Sequence, residues 1–113
     1  TLRYLCLLAI LLDPTPAPLT VIEAPELGIH PDPLPGLIPL MVDASTRGQL
    51  IITTHSTQLV SAMTEHADSI LVCEKHGPTT RLTRLSQDEV DRWKVHGDLG
   101  SLWMSGHFGG TRW

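Results

Sequence analysis

Leu19-Thr20-Val21-Ile22-Glu23-Ala24-Pro25-Glu26-Leu27-Gly28-Ile29-His30-Pro31 is the stretch on which the reading of this chain turns. An apolar run rich in β-branched residues stops on an acid, and a proline turn follows at once. Glu23 is therefore expected at the tip of a buried strand. In open α/β sheets ligands bind beyond the carboxyl ends of the strands, where an acid can hold a metal ion beside a phosphate. Gln49 to Thr54 (QLIITT) reads as a second buried strand and runs into His55-Ser56. The segment between them carries a helical apolar pattern in Leu34, Leu37, Ile38, Met41 and Val42. A strand-helix-strand unit of this kind is parallel and buried on both faces, so Glu23 and His55 should reach the same edge of the sheet.

Working outward, Thr1 can cap a helix that runs to about Leu12, where Pro14, Pro16 and Pro18 forbid its continuation. That helix is apolar nearly all round and expects protein on several sides. At about a dozen residues it is shorter than the roughly 20 needed to cross a bilayer, and only Arg3 precedes its apolar part, so neither a membrane span nor a leader peptide fits. Pro33, Pro35, Gly36 and Pro39 should kink or shorten the helix between the strands. A third helix is expected from about Ser56 to Glu65, then a strand at Ser69 to Glu74 and a turn at Lys75 to Pro78. Thr79 to Leu85 reads as a fourth strand, with Arg81 and Arg84 on its solvated face. Ser86 should cap a final amphipathic helix with Asp88 and Glu89 in its first turn and Trp93 near its end. Leu99 to Trp113 receives no regular element. Trp93, Trp103 and Trp113 suit burial against a sheet better than stacking on bases.

Length and composition bound the rest. The 113 residues suffice for one ordinary domain, and 18% charged residues with 42% apolar describe a packed protein rather than a disordered tail. A net charge of −4 supplies no general electrostatic attraction to nucleic acid. Cys6 and Cys73, both among aliphatic residues, read as buried, reduced thiols of a cytosolic protein. The start at Thr1 carries the expectation of further sequence upstream.

From the residues alone, an acid on one strand tip and Thr-His-Ser on the next suit a Mg²⁺-phosphate ligand. The carboxylate would hold the ion through water, and the imidazole would donate to a terminal phosphoryl oxygen. The plainer alternative is a solvent-facing acid and a histidine that caps the next helix. The six histidines form no H-E-x-x-H pattern and the cysteines no C-x-x-C, so a zinc site is not expected. Ser56 lacks the G-x-S-x-G surroundings of a nucleophile.

IEAPELGIHP resembles the Walker B segment and D-loop of ABC-type ATPases in the RecF/SMC-like branch of predicted AAA ATPases. IITTHST is similar to the switch-histidine strand of that family, and TLRYLCLLAILLDP to the helix after its signature loop. DLGSLWMSGHFGGTRW is similar to a tail seen in one group of its members. The resemblance implies an α/β fold, a partial ABC-type P-loop NTPase with a mostly parallel sheet and a C-terminal β-hairpin. It implies ATP and Mg²⁺ as cofactors, ATP binding and hydrolysis as the activity, and a homodimer that sandwiches the nucleotide. DNA enters by family analogy only. Residues 1–85 would form the C-terminal part of the ATPase domain, and 86–113 a helix and a Gly/Trp-rich tail.

Residue by residue, the resemblance makes Glu23 the Mg²⁺ acid and His55 the switch histidine, in contact with phosphate. Leu27, Gly28 and His30 belong to the D-loop, and Thr1 ends the signature loop. Ala24 stands where the family has its catalytic glutamate, and Glu26 is the only nearby acid that could substitute. Thr57 replaces the proline common after Thr-His-Ser. No G-x-x-x-x-G-K-[ST] phosphate loop occurs in the 113 residues. Without that cradle the chain by itself is expected to bind ATP weakly or not at all, and to aggregate or pair through uncovered apolar surface. Loss of a general base typically costs about 10²–10⁴ in rate, so even a completed site would hold ATP and turn it over slowly. The alternative reading is a non-catalytic α/β remnant or interaction module. An unrelated phosphatase-like domain would need a strand-tip nucleophile that is missing.

Overall fold

Proline punctuation and hydrophobic period set the first half of the fold. The structure, a computed structural model, describes residues 2–110 and folds as two compact units, 1–56 and 57–113. Thr1, the expected helix cap, and Trp113 lie outside the described residues.

In the first unit, helix α1 (Leu2–Leu11) ends just before Pro14. Its terminal carbonyls are taken by Arg47, whose Nη2 donates to Leu11 O at 2.6 Å and Nε to Asp13 O at 3.0 Å. Strand β1 (Leu19–Glu23) pairs in parallel with β2 (Gln49–Thr53), Ile22 opposite Ile52 and Glu23 opposite Thr53. The connection is a 3-10 turn at Leu34–Gly36 followed by helix α2 (Leu37–Ala44). Pro33 and Pro35 sit in and before that turn, and Pro39 falls in the first turn of α2, where no intrahelical N–H bond is lost. The prolines thus shorten the helix as expected. Its buried residues are Leu37, Ile38 and Met41, and α1 contributes Leu7 and Leu11.

Two expectations fail here for one reason, the thinness of the layer. Only one face of the β1–β2 pair is covered, by way of Thr20, Ile22, Leu50 and Ile52. Leu19, Val21 and Ile51 lie on the opposite face and are exposed, Val21 by 60%. The strands are therefore not buried on both faces. Helix α1 buries a single stripe, leaving Leu2, Leu5, Ile10 and Leu12 exposed, and Cys6 with them.

In the second unit, helix α3 (Thr57–Ala62) passes through a 3-10 segment at Thr64–Ser69 into strand β3 (Leu71–His76). A turn at Gly77-Pro78 returns the chain as β4 (Thr79–Arg84), antiparallel to β3 in its own two-stranded sheet. All of β4 is exposed, Arg81 and Arg84 included. Alternation on β3 turns Val72 into the core and Cys73 out to solvent, so neither cysteine is buried; both are free thiols. The core comprises Ala67, Val72, Leu85, Val90, Leu99 and Leu102.

Helix α4 (Gln87–Trp93) starts after Ser86, but the Ser86 side chain makes no capping bond. Asp68 Oδ1 takes the Gln87 amide instead, at 2.8 Å. The Gln87 side chain reaches back, its Oε1 accepting from Ala67 N and its Nε2 donating to Thr64 O. The C-terminal stretch does contain a helix, α5 (Leu99–Met104), capped by Asp98 Oδ1 accepting from Ser101 N at 2.9 Å. That bond holds the Asp98 carboxyl below the usual carboxylate range. Helix α5 packs on α3 at Gly100, where a Cβ would stand 2.6 Å from Thr57 O. Trp93 and Phe108 stack at 6.5 Å, half-buried against the core. Among the described residues no helix is long and apolar enough to cross a membrane.

Candidate functional site

The parallel register fixes where the candidate residues meet. Glu23 closes β1 opposite Thr53, and Thr54-His55 follow directly, so the acid and the histidine stand at the same end of the strand pair. Glu23 is exposed, on the open face with Val21. Among the described residues none donates to its carboxylate.

Beyond Glu23 the chain makes a corner. Ala24 adopts the left-handed region at φ 46°, a conformation that an L-residue other than glycine takes at a cost of about 1–2 kcal/mol. Three bonds hold it there. Its amide donates to Thr53 O at 2.9 Å, and its carbonyl accepts from Leu27 N at 3.1 Å and from Arg3 Nη2 at 3.1 Å. Pro25 behind it is fully buried. Gly28 takes φ 76° and completes the turn, which a side chain would strain. Leu27, Gly28 and His30 are all exposed. The His30 ring turns back on its own loop, Nδ1 accepting from Asp32 N at 3.2 Å.

Glu26 bridges the two strand ends. Its Oε2 accepts from Thr54 Oγ1 at 2.9 Å and its Oε1 accepts from His55 N at 2.9 Å. Thr54 Oγ1 in turn accepts from Ser56 N at 3.0 Å. Both carboxylate oxygens are thus engaged, so Glu26 is a tie between loops and a poor candidate for the base missing at Ala24. Sequence reading weighed Glu26 only as such a base. The hydroxyl-bearing Thr54 and a carboxylate three residues past a strand tip were the available signal, but only the parallel register brings them together.

Among the described residues no group of three or more His, Cys, Asp or Glu side chains could hold a metal ion unaided. Mg²⁺ needs no such cage, since it keeps several waters and takes one or two carboxylates together with ligand phosphates. The uncommitted Glu23 carboxylate fits that role. Thr1 lies outside the described residues.

A family profile described as "AAA domain, putative AbiEii toxin, Type IV TA system" matches residues 1–61, which span β1, the corner and β2. The chain belongs to this AAA family. The AAA chain is also similar in fold to a solved structure from work titled "Structural biochemistry of ATP-driven dimerization and DNA stimulated activation of SMC ATPases". The TM-score is 0.54 at 16% identity, covering 72% of this chain and 48% of that one. The AAA chain therefore spans about half the length of that structure. No curated protein matches it. The family relationship implies nucleotide and Mg²⁺ use.

Proposed function

We propose that this chain supplies the Mg²⁺-acid and switch side of an ABC-type ATP-binding and hydrolysing site. The phosphate loop would come from a segment outside these 113 residues. The observation that supports it is the juxtaposition of Glu23 and Thr54-His55 at one end of a parallel strand pair. In this reading Glu23 is the Walker B acid, His55 faces the terminal phosphate, and Leu27, Gly28 and His30 form the D-loop presented to a second copy. Residues 86–113 are an appended helix and tail, and the setting is cytosolic. The dimerization named for the SMC ATPase structure is consistent with a homodimer here, and DNA remains an analogy.

Bound Mg²⁺ would neutralise charge on the phosphates. Glu23 holds it in place, and His55 donates to the phosphoryl oxygen on which charge develops. Ala24 offers no proton acceptor for an attacking water, so the completed site retains ATP and turns it over slowly. Ala24 and the absent phosphate-loop motif equally favour the second reading, a non-catalytic interaction module. Mn²⁺-ATP at millimolar concentration separates the two by paramagnetic broadening in an isotope-labelled polypeptide that includes the phosphate loop. The ATP-site reading expects selective broadening of the Glu23, Ala24, Thr54 and His55 amides, lost in Glu23→Gln. Absence of broadening, or broadening centred elsewhere, refutes it.

A further inference from the structure

We infer that Glu26 is the positioning residue of the site: one carboxylate sets where His55 stands relative to the Glu23 strand tip. The inference rests on the ATP-site reading for its functional meaning, and on three hydrogen bonds for its geometry. Glu26 belongs to the corner that begins at Glu23, while Thr54 and His55 lie 28 and 29 residues on. The ladder closes where Ala24 N donates to Thr53 O. From that point the path of the β2 continuation is held to the corner by the Glu26 side chain.

The chemistry suits holding rather than proton transfer. A carboxylate has four lone-pair sites and accepts two donors on separate oxygens without competition. Here one donor is a hydroxyl and the other the peptide N–H of the histidine itself, so the clamp acts on the His55 backbone. Thr54 is fixed twice over, because its hydroxyl donates to Glu26 while accepting from Ser56 N. Charge-assisted bonds of this kind are stronger than neutral ones.

The geometry also ranks the substitutions. Glu26→Gln keeps the reach and one oxygen for His55 N, and its amide can donate to Thr54 Oγ1. Glu26→Asp keeps the charge but is one methylene short. Glu26→Ala removes both. If position is what matters, glutamine outperforms aspartate; if a nearby negative charge is what matters, the order reverses.

The test uses the full labelled chain. Hydrogen exchange of the His55 amide should accelerate roughly 10–100-fold in Glu26→Ala, the equilibrium equivalent of one lost bond to a charged group. The Ile22 and Ile51 amides of the ladder should be unchanged, and the order should be Ala, Asp, Gln from fastest to slowest. In the same variants of a polypeptide that includes the phosphate loop, millimolar Mg²⁺-ATP should still perturb the Glu23 and Ala24 amides while the His55 imidazole loses its response in Glu26→Ala and regains it in Glu26→Gln. Unchanged His55 exchange, equal acceleration at Ile22 and Ile51, or better rescue by aspartate overturns the inference. A wild-type polypeptide that includes the phosphate loop and shows no nucleotide response anywhere overturns the ATP-site reading instead, and the exchange series still decides the part played by Glu26.

Discussion

Replacing Ala24 with glycine should stabilise the first unit, although it removes a methyl group and adds nothing. Ala24 holds φ 46°, where its Cβ crowds the backbone. That conformation costs an L-residue about 1–2 kcal/mol relative to the right-handed region, and glycine pays none of it. Against this, glycine loses more freedom on folding, a charge of roughly 0.5–1 kcal/mol. The net gain is therefore about 0.5–1 kcal/mol, or roughly two- to fivefold in the local opening constant. Valine should move the other way by at least about 1 kcal/mol, because β-branched residues are outliers at positive φ. The three bonds from Thr53, Leu27 and Arg3 are all backbone-directed at Ala24 and survive both changes. All three tryptophans lie in residues 57–113, so their fluorescence does not report on this unit. Amide exchange at Ile22 and Ile51, both ladder donors, as a function of urea does. A glycine variant less stable than wild type, or a valine variant equal to it, would show that the corner is not strained.

Ala24→Glu, in a polypeptide that includes the phosphate loop, should raise ATP turnover within the range of about 10²–10⁴ that a positioned base contributes; a steady-state phosphate-release assay with an unchanged rate rejects the role assigned to that position. Gly100→Ala places a methyl group against Thr57 O and the Ser61 side chain, and should cost the second unit about 1–3 kcal/mol by overpacking, read as a lower urea midpoint in tryptophan fluorescence. The Asp98 cap should carry a pH signature. Its carboxyl is held below its ordinary range by the Ser101 bonds, so its contribution is whole above that range and disappears as pH falls through the depressed value. Asp98→Ala should cost about 1 kcal/mol near neutral pH and nothing once wild-type Asp98 is protonated; a difference that persists at that acidity contradicts the cap.

Elements that depend on local signals were legible from the sequence, and those that depend on tertiary partners were not. The β-branched run at Val21-Ile22, the prolines at 14–18 and 33–39, and the Gly77-Pro78 turn act within a few residues of themselves, so β1, β2, the breaks and the hairpin were legible, although β3 runs Leu71–His76, two residues beyond the Ser69–Glu74 expected. Ser86 had the right chemistry for a cap, yet its side chain caps nothing, and Asp68, distant in sequence, presents its carboxylate to the Gln87 amide. Helix α5 was hidden because six residues between glycines give too short a period to read, although Asp98 with Ser101 three positions on was its cap signal. Burial of Cys6 and Cys73 was inferred from aliphatic neighbours, which cannot say which side of a helix or strand meets a core. In the candidate site the shared strand end of Glu23 and His55 followed from strand-helix-strand logic. The Glu26 bridge did not, since it exists only once the register is set.

The guanidinium of Arg47 closes the end of α1 on two main-chain oxygens, Leu11 O and Asp13 O. Neither donor nor acceptors change charge across the range in which proteins are handled. Those two contacts therefore lose no charge in acid, although the Asp43 carboxylate paired with the same guanidinium does, whereas the cap at the start of α5 is itself an ionised Asp98. Acidification should consequently fray the start of α5 before it opens the end of α1.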